Sequence, residues 1–372
     1  MYKFSTALIL VLALSNCFFS NKLSIKGKQN INLHEENFSN LKNWQQDDHR
    51  AALQAFLHSC RKFAKMAQNT ELNGQLFAIT PNDYRDVCEI AEVVKTMSSK
   101  QIKNFFENWF KLFLVENKKG DENGLFTGYY EASLRGSFIK SEKYQYPIYA
   151  KPKDKKLELE LTREDIENGA LTDENLEILY VDNKVDLFFL HIQGSGKVIL
   201  PNGQEIKIAY AGKNNYQFNA ISNELIKKDL ISKDQINAYS VKNWLENNPL
   251  QAQSIMNLNK SYTYFKINQS EYVSGAQGVP LTPERSLAID NEIIPYGSIM
   301  WLETNIIDNK SKKPFERLMI AQDTGSAIKG TVRGDIYFGG GDMAQDRAFN
   351  MNFSGRYYVL LPINFIDRIT SK

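Results

Sequence analysis

The side chains best placed to do acid–base chemistry lie between Leu318 and Asp342, in the run LMIAQDTGSAIKGTVRGDIYFGGGD. Leu318 to Ala321 is an apolar run that predicts a buried strand ending at Asp323. Gly325, Gly330 and Gly334 then interrupt the backbone before a second short strand, Ile336 to Phe338, followed by Gly339 to Gly341. Asp323 and Asp335 therefore stand at strand edges among glycines that let another chain approach closely. A carboxyl group partly shielded from water keeps its proton near neutral pH, which is what protonation of a departing glycosidic oxygen requires. Aspartate beside glycine is also ordinary turn chemistry. The functional reading gains from the concentration of strand ends, glycines and a third acid, Asp342, in one segment.

The elements that must carry these residues follow from periodicity. Residues 47–68 begin with capping aspartates and place Leu53, Phe56, Leu57, Cys60 and Phe63 at helical spacing. The same period recurs over 83–96 and 99–114, where Ile102, Phe105, Phe106, Trp109, Phe110 and Phe113 form one broad stripe that reads as core. From residue 124 the texture turns to strands and turns: GLFTGYYEASLRGS, KYQYPIYAKP, and VDLFFLHIQGSGKVILPNGQEIKIAYAG, with Pro201-Asn202-Gly203 as a tight turn. Residues 163–179 and 219–258 read as mixed or helical, with Pro249 ending one helix and opening another. Strands return as YTYFKI, SIMWLET, RLMIAQD and RYYVLLP. The expected class is α+β, mostly β, with N-terminal helices.

The chain has 372 residues, 42% of them hydrophobic, enough for more than one core. Its 45 basic and 43 acidic residues leave a net charge of +2, which predicts no nucleic-acid partner. Four histidines without HExxH or Cys-His spacing predict no metal site, and no motif calls for a cofactor. Residues 1–22 read as an export leader, with one lysine before an apolar core from Ala7 to Leu14. Leu14-Ser15-Asn16-Cys17 resembles the bacterial lipoprotein box, which would place a lipid on Cys17; an ordinary leader cut a few residues later is the alternative. Cys60 and Cys88 then remain in an oxidising compartment, either as a disulfide or as two buried thiols.

Several motifs occur in one order: FTGYYEA (126–132), QYPIY (145–149), IQGSG (192–196), AYAGKNNY (209–216), GVPLTPERSLAID with IIPYGS (278–298), and the aspartate-rich run above. Together they resemble the membrane-bound lytic murein transglycosylase A family of Gram-negative bacteria. The resemblance implies a double-psi β-barrel built from 23–127 and 265–372, with a second β domain, 128–264, inserted between them. It implies cleavage of the β-1,4 bond between N-acetylmuramic acid and N-acetylglucosamine, leaving a 1,6-anhydro sugar. It further implies an outer-membrane lipoprotein facing the periplasm, whose partner is the glycan strand of peptidoglycan. We take the chain as a monomer.

The family's essential acid corresponds to Asp335, and Asp323 matches a supporting acidic position. A hydrolase needs two carboxylates, one to protonate the leaving oxygen and one to activate water or attack the sugar. A lytic enzyme uses the sugar's own C6 hydroxyl, an intramolecular nucleophile with an effective molarity on the order of 10⁵ M or more when oriented. One aspartic acid then donates a proton and takes another back. Candidate substrate contacts are Thr127, Gly128 and Tyr129, and Gln193, Gly194 and Ser195 at the end of the LFFLHI strand; Tyr210 and Lys213 are weaker candidates, since AYAGKN also fits a turn with a solvated lysine. Lys329 and Arg333 lie close enough in sequence to meet acidic groups of the substrate. Two rivals remain open at this stage: a hydrolase using Asp342 or Asp346 as second carboxylate, and a non-catalytic wall-binding protein.

Overall fold

The structure is a computed structural model that describes residues 24–26 and 31–371, apart from Asn73, residues 75–77 and Glu271. The leader and Cys17 lie outside the described residues. Helix α1 (His49–Phe63) starts where Asp48 accepts the Ala51 backbone N–H at 3.2 Å, and it buries Leu53, Phe56, Leu57, Cys60 and Phe63 as their spacing predicts. Helices α2 (Arg85–Val94) and α3 (Ser99–Trp109) follow, the latter opened by a capping box between Ser98 and Gln101. A disulfide joins Cys60 on α1 to Cys88 on α2, with their Cα atoms 5.5 Å apart.

The strands in chain order are β1 (Ser24–Lys26), β2 (Asn32–Glu36), β3 (Phe110–Glu116), β4 (Gly124–Ser137), β5 (Tyr146–Tyr149), β6 (Glu177–Val181), β7 (Gly196–Ile199) and β8 (Glu205–Lys213). They continue as β9 (Thr263–Ile267), β10 (Ser286–Ala288), β11 (Ile299–Asp308), β12 (Ser311–Asp323), β13 (Arg333–Gly340) and β14 (Asn352–Pro362). The remaining helices are α4 (Lys155–Leu159), α5 (Arg163–Glu167), α6 (Lys184–Gln193), α7 (Ile221–Lys227), α8 (Ala238–Asn247), α9 (Pro249–Asn257), α10 (Asp342–Phe349) and α11 (Ile363–Thr370). Helical and strand residues are about equal in number among those described, so the fold is mixed α/β, with more helix than the decoration expected of a mostly β chain.

The hydrogen-bonded path β14-β11-β12-β10-β13-β4 returns on itself because β14 also pairs with β4. These six strands form a partial ring, opened at two points: β3 continues the sheet from β14, and β7 continues it from β4. Both faces of these strands are apolar, with Leu287, Trp301, Leu302, Ile320, Ile336 and Leu360 fully buried. Strand β4 belongs to both halves of the sheet. Leu125 to Tyr129 lie in parallel register with β13, while Ala132 to Arg135 lie in parallel register with β7.

Two expectations give way here. The aromatic stripe does not remain helical to residue 114: the chain leaves α3 directly into β3, and Phe110, Leu112 and Phe113 bury from a strand. Residues 184–193 form helix α6 rather than a strand, started by Asn183, which accepts from the Val185 and Asp186 N–H groups, and stopped by Gly194 at φ 77°. Its run from Leu187 to His191 is buried all round, so no alternation marks it as helical. Pro249 does open α9 after α8, and Gly203, at φ 84°, sits in the turn between β7 and β8.

Candidate active site

Four strands line up one residue each. Asp323 on β12 pairs with Ala288 on β10, Ala288 pairs with Asp335 on β13, and Asp335 pairs with Thr127 on β4. Residues in one such row point to the same face of a sheet, so both aspartates and the threonine share a surface whose middle position is a small alanine. The two aspartate Cα atoms stand two strand spacings apart, about 10 Å along the sheet. Tyr129 and Tyr337 form the next row, their ring centroids 5.2 Å apart. The curl of the ring brings the Tyr129 hydroxyl back to Asp323, to which it donates at 2.7 Å.

The two acids are held differently. Asp323 Oδ1 accepts from the Ala276 and Thr324 backbone N–H groups, both at 2.9 Å, and its other oxygen takes the Tyr129 hydroxyl. Asp335 receives one hydrogen bond, from the Thr127 hydroxyl at 2.6 Å, and that hydroxyl is itself fixed by Arg333 Nη2 at 2.8 Å. Both aspartates remain half-buried. Burial pushes the Asp335 carboxyl above the ordinary aspartate value; the Arg333 charge and the Thr127 hydroxyl oppose this, and the Asp323 charge adds to it. Burial also raises Asp323, against its three hydrogen bonds. Tyr129 is raised well above the ordinary phenol value, first by burial and then by Asp323, so it stays a donor.

The other candidates divide. Gly128 is backed by the Phe338 ring and by Ala348 of α10, which a Cβ would meet at 2.5 and 3.0 Å; close packing is the reason for glycine there. Gln193 ends α6, not a strand, and its side-chain carbonyl accepts the Tyr130 backbone N–H at 3.0 Å. Gly194 faces open space, and Ser195 leads into β7, whose Gly196 lies opposite Ala132. Ala132 is five residues along β4 from Thr127, about 16 Å of strand. Tyr210, half-exposed, lies one strand further away on β8. Lys213 also belongs to β8 and donates to the Asn214 and Tyr216 carbonyls, so it is neither in a turn nor free in solvent. Lys329 is engaged by Asp290 and Glu292, and Arg333 is spent on Thr127 and the Leu125 and Gly334 carbonyls.

Neither rival carboxylate is among the groups that act on Asp335. Asp342 is exposed in the first turn of α10, and Asp346 accepts from the Tyr239 hydroxyl at 3.2 Å and Asn350 Nδ2 at 3.1 Å. Sequence reasoning missed Ala288, Tyr296 and Tyr337. Tyr296 is pushed up to about 12 by burial and the Asp323 charge, and Tyr337 is raised by burial and the charges of Glu131 and Asp323. The available signal for Tyr337 was the two-residue period of β13, which puts it on the same face as Asp335; no spacing pointed to Ala288 or Tyr296.

A half-buried acid on a ring of six strands, continued through β4 into a second sheet region, defines a two-part protein, and both parts match known families. Residues 125–266 match the MltA specific insert domain, and residues 285–361 match the 3D domain. Over 361 residues, 95% of the chain and 94% of its relative, the sequence is 30% identical to the membrane-bound lytic murein transglycosylase A homolog of Buchnera aphidicola. It is 35% identical to membrane-bound lytic murein transglycosylase A of Escherichia coli over 64% of this chain and 66% of that one. The fold is similar to the crystal structure of a membrane-bound lytic murein transglycosylase from Agrobacterium tumefaciens, with TM-score 0.79 and 29% identity over 91% of this chain and 98% of that chain. It is also similar to E. coli MltA with bound chitohexaose, with TM-score 0.70 and 26% identity over 92% and 93% of the two chains. The chain belongs to the membrane-bound lytic murein transglycosylase A family.

Proposed function

We propose the following assignment of chemistry to residues. The chain is a peptidoglycan lytic transglycosylase, cleaving the β-1,4 bond between N-acetylmuramic acid and N-acetylglucosamine and leaving a 1,6-anhydro end. Asp335, protonated by virtue of its shielded position, donates to the departing O4 as the C1–O4 bond breaks. The same side chain, now an aspartate, removes the O6 proton as O6 bonds to C1, so no water enters the product. Thr127 fixes the rotamer of the acid, and Arg333 fixes Thr127. Asp323 supports the reaction from across Ala288 by orienting Tyr129 and by opposing ionisation of Asp335.

The observation that carries this reading is Asp335 itself: half-buried, raised by burial, and bonded by one hydroxyl, with Asp342 and Asp346 directed elsewhere. Purified murein sacculi digested by the protein should yield product pairs whose summed mass equals that of the parent strand. A gain of one water mass per cut marks a hydrolase and overturns the assignment.

The sheet ring is read as a double-psi β-barrel formed by 23–127 and 265–372, with 128–264 inserted; the separate matches of 125–266 and 285–361 support that division. The glycan would lie between the two parts, touching Thr127, Tyr129 and the Gln193–Ser195 corner, with Tyr210 and Lys213 more distant. No helix among the described residues is long and apolar enough to cross a membrane, in keeping with attachment to the outer membrane through a lipid on Cys17. We take the enzyme as a monomer facing the periplasm.

A further inference from the structure

Strand β4 presents a third groove-facing side chain beyond Thr127 and Tyr129. The period of two puts Glu131 on the same face, and its register partner is Gly340 after a bulge between Tyr337 and Gly340. That bulge lets the carboxylate lie over a position without a side chain: a Cβ on Gly340 would meet Glu131 Oε2 at 3.0 Å. The other oxygen, Oε1, is shut off from solvent and has no hydrogen-bond partner, although the residue as a whole is half-buried. Its charge is felt by the Tyr337 hydroxyl, which also feels Asp323, and Tyr337 stands in the row beside Tyr129 on the same strand face.

An unpaired carboxylate oxygen out of water is costly, and ion pairs or backbone donors satisfy most other acids of this fold. Asp323, for comparison, has three donors. Glu131 is four residues along β4 from Thr127, the partner of Asp335, and about 13 Å of strand sets it apart from the reacting acid.

We propose that Glu131 is a binding residue for the saccharide beyond the reacting sugar, accepting a hydrogen bond from a hydroxyl or acetamido N–H of the bound glycan. The proposal rests on the glycan-cleaving reading of the groove. The oxygen such a donor would meet is Oε2, which lies over the exposed Gly340. A neutral acceptor of the same shape should retain much of this bond, which separates sugar recognition from attraction to a cationic amine of a stem peptide.

The test uses the Asp335→Asn chain, expected to hold glycan without cutting it, and chitohexaose as the probe in calorimetric titration. Adding Glu131→Ala should weaken binding about tenfold, while adding Glu131→Gln should weaken it threefold or less. In the Asp335 enzyme, Glu131→Ala should raise KM for glycan strands by a similar factor and leave kcat within about twofold. Unchanged affinity in Glu131→Ala, or Glu131→Gln binding no better than Glu131→Ala, overturns the proposal while leaving the groove's assignment intact. Failure of the Asp335→Asn parent to bind chitohexaose overturns both.

Discussion

Two buried charges in this molecule are treated in opposite ways. Arg163, at the start of α5, is almost wholly enclosed and every nitrogen is used: Nε donates to the Asn259 carbonyl, Nη1 to Glu167 and to His191 Nδ1, and Nη2 to the Ser261 carbonyl. The Phe188 and Tyr262 rings lie over its guanidinium at 4.8 and 5.2 Å. Asp335 has one hydroxyl donor, a nearby arginine that bonds the threonine rather than the acid, and partial exposure to the groove. A fully satisfied buried charge fixes structure; a half-satisfied one keeps a proton that it can give away. The same contrast separates Asp335 from Asp323 within the site, and it assigns their roles.

The largest effect should come from removing the exchangeable proton. Asp335→Asn should lower kcat on sacculi by about 10³-fold or more, within the range of lost general acid–base catalysis, while its thermal midpoint stays the same or rises. The sign of the stability change follows from linkage. Because the folded-state value lies above that of the unfolded chain, Asp335 favours the fold below its unfolded value and loses that contribution as pH rises through the folded one.

Arg163→Met should do the reverse. It should cost about 3 kcal/mol of stability, since Glu167 and two carbonyls lose their donor, yet leave kcat per folded molecule within about twofold. Calorimetry beside product assays checks both variants, and a matching loss of kcat in Arg163→Met breaks the comparison. A smaller effect is expected at Thr127→Val, about tenfold in kcat from a misoriented acid.

The smallest effects are shifts in the alkaline limb of the pH–rate profile. Activity needs protonated Asp335 and is lost as pH rises through its raised value. Arg333 favours the anion, so Arg333→Gln should move that limb to higher pH; Asp323→Asn removes an opposing charge and should move it to lower pH. Equal shifts in one direction would contradict the electrostatic account.

Local signals made α1, α2 and the strand carrying Asp323 legible, because caps and a single buried face leave a period in the sequence. They misled at Phe110, where an aromatic stripe continued across the change from helix to strand, and at Leu187–His191, where burial on every side erased the helical period. Asn183 and Gly194 carried the missing information as caps on either side of α6. The partner of Asp335 was out of reach of any spacing rule. Thr127 is 208 positions away and meets it through parallel pairing of β4 and β13. The two sites of contact emerged together only through the family resemblance of FTGYYEA and GDIYFG. Glu131, inside the first of those motifs, stood out only once its oxygen was seen to lack a donor.

Titration of the Asp335 carboxyl by infrared difference spectroscopy, with Asp335→Asn as the blank, probes the shielded acid most directly. We expect protonation to persist above the ordinary aspartate value of about 3.9. A midpoint at or below that value would mean that Asp335 is already ionised when the substrate arrives, and the single-acid account would be wrong.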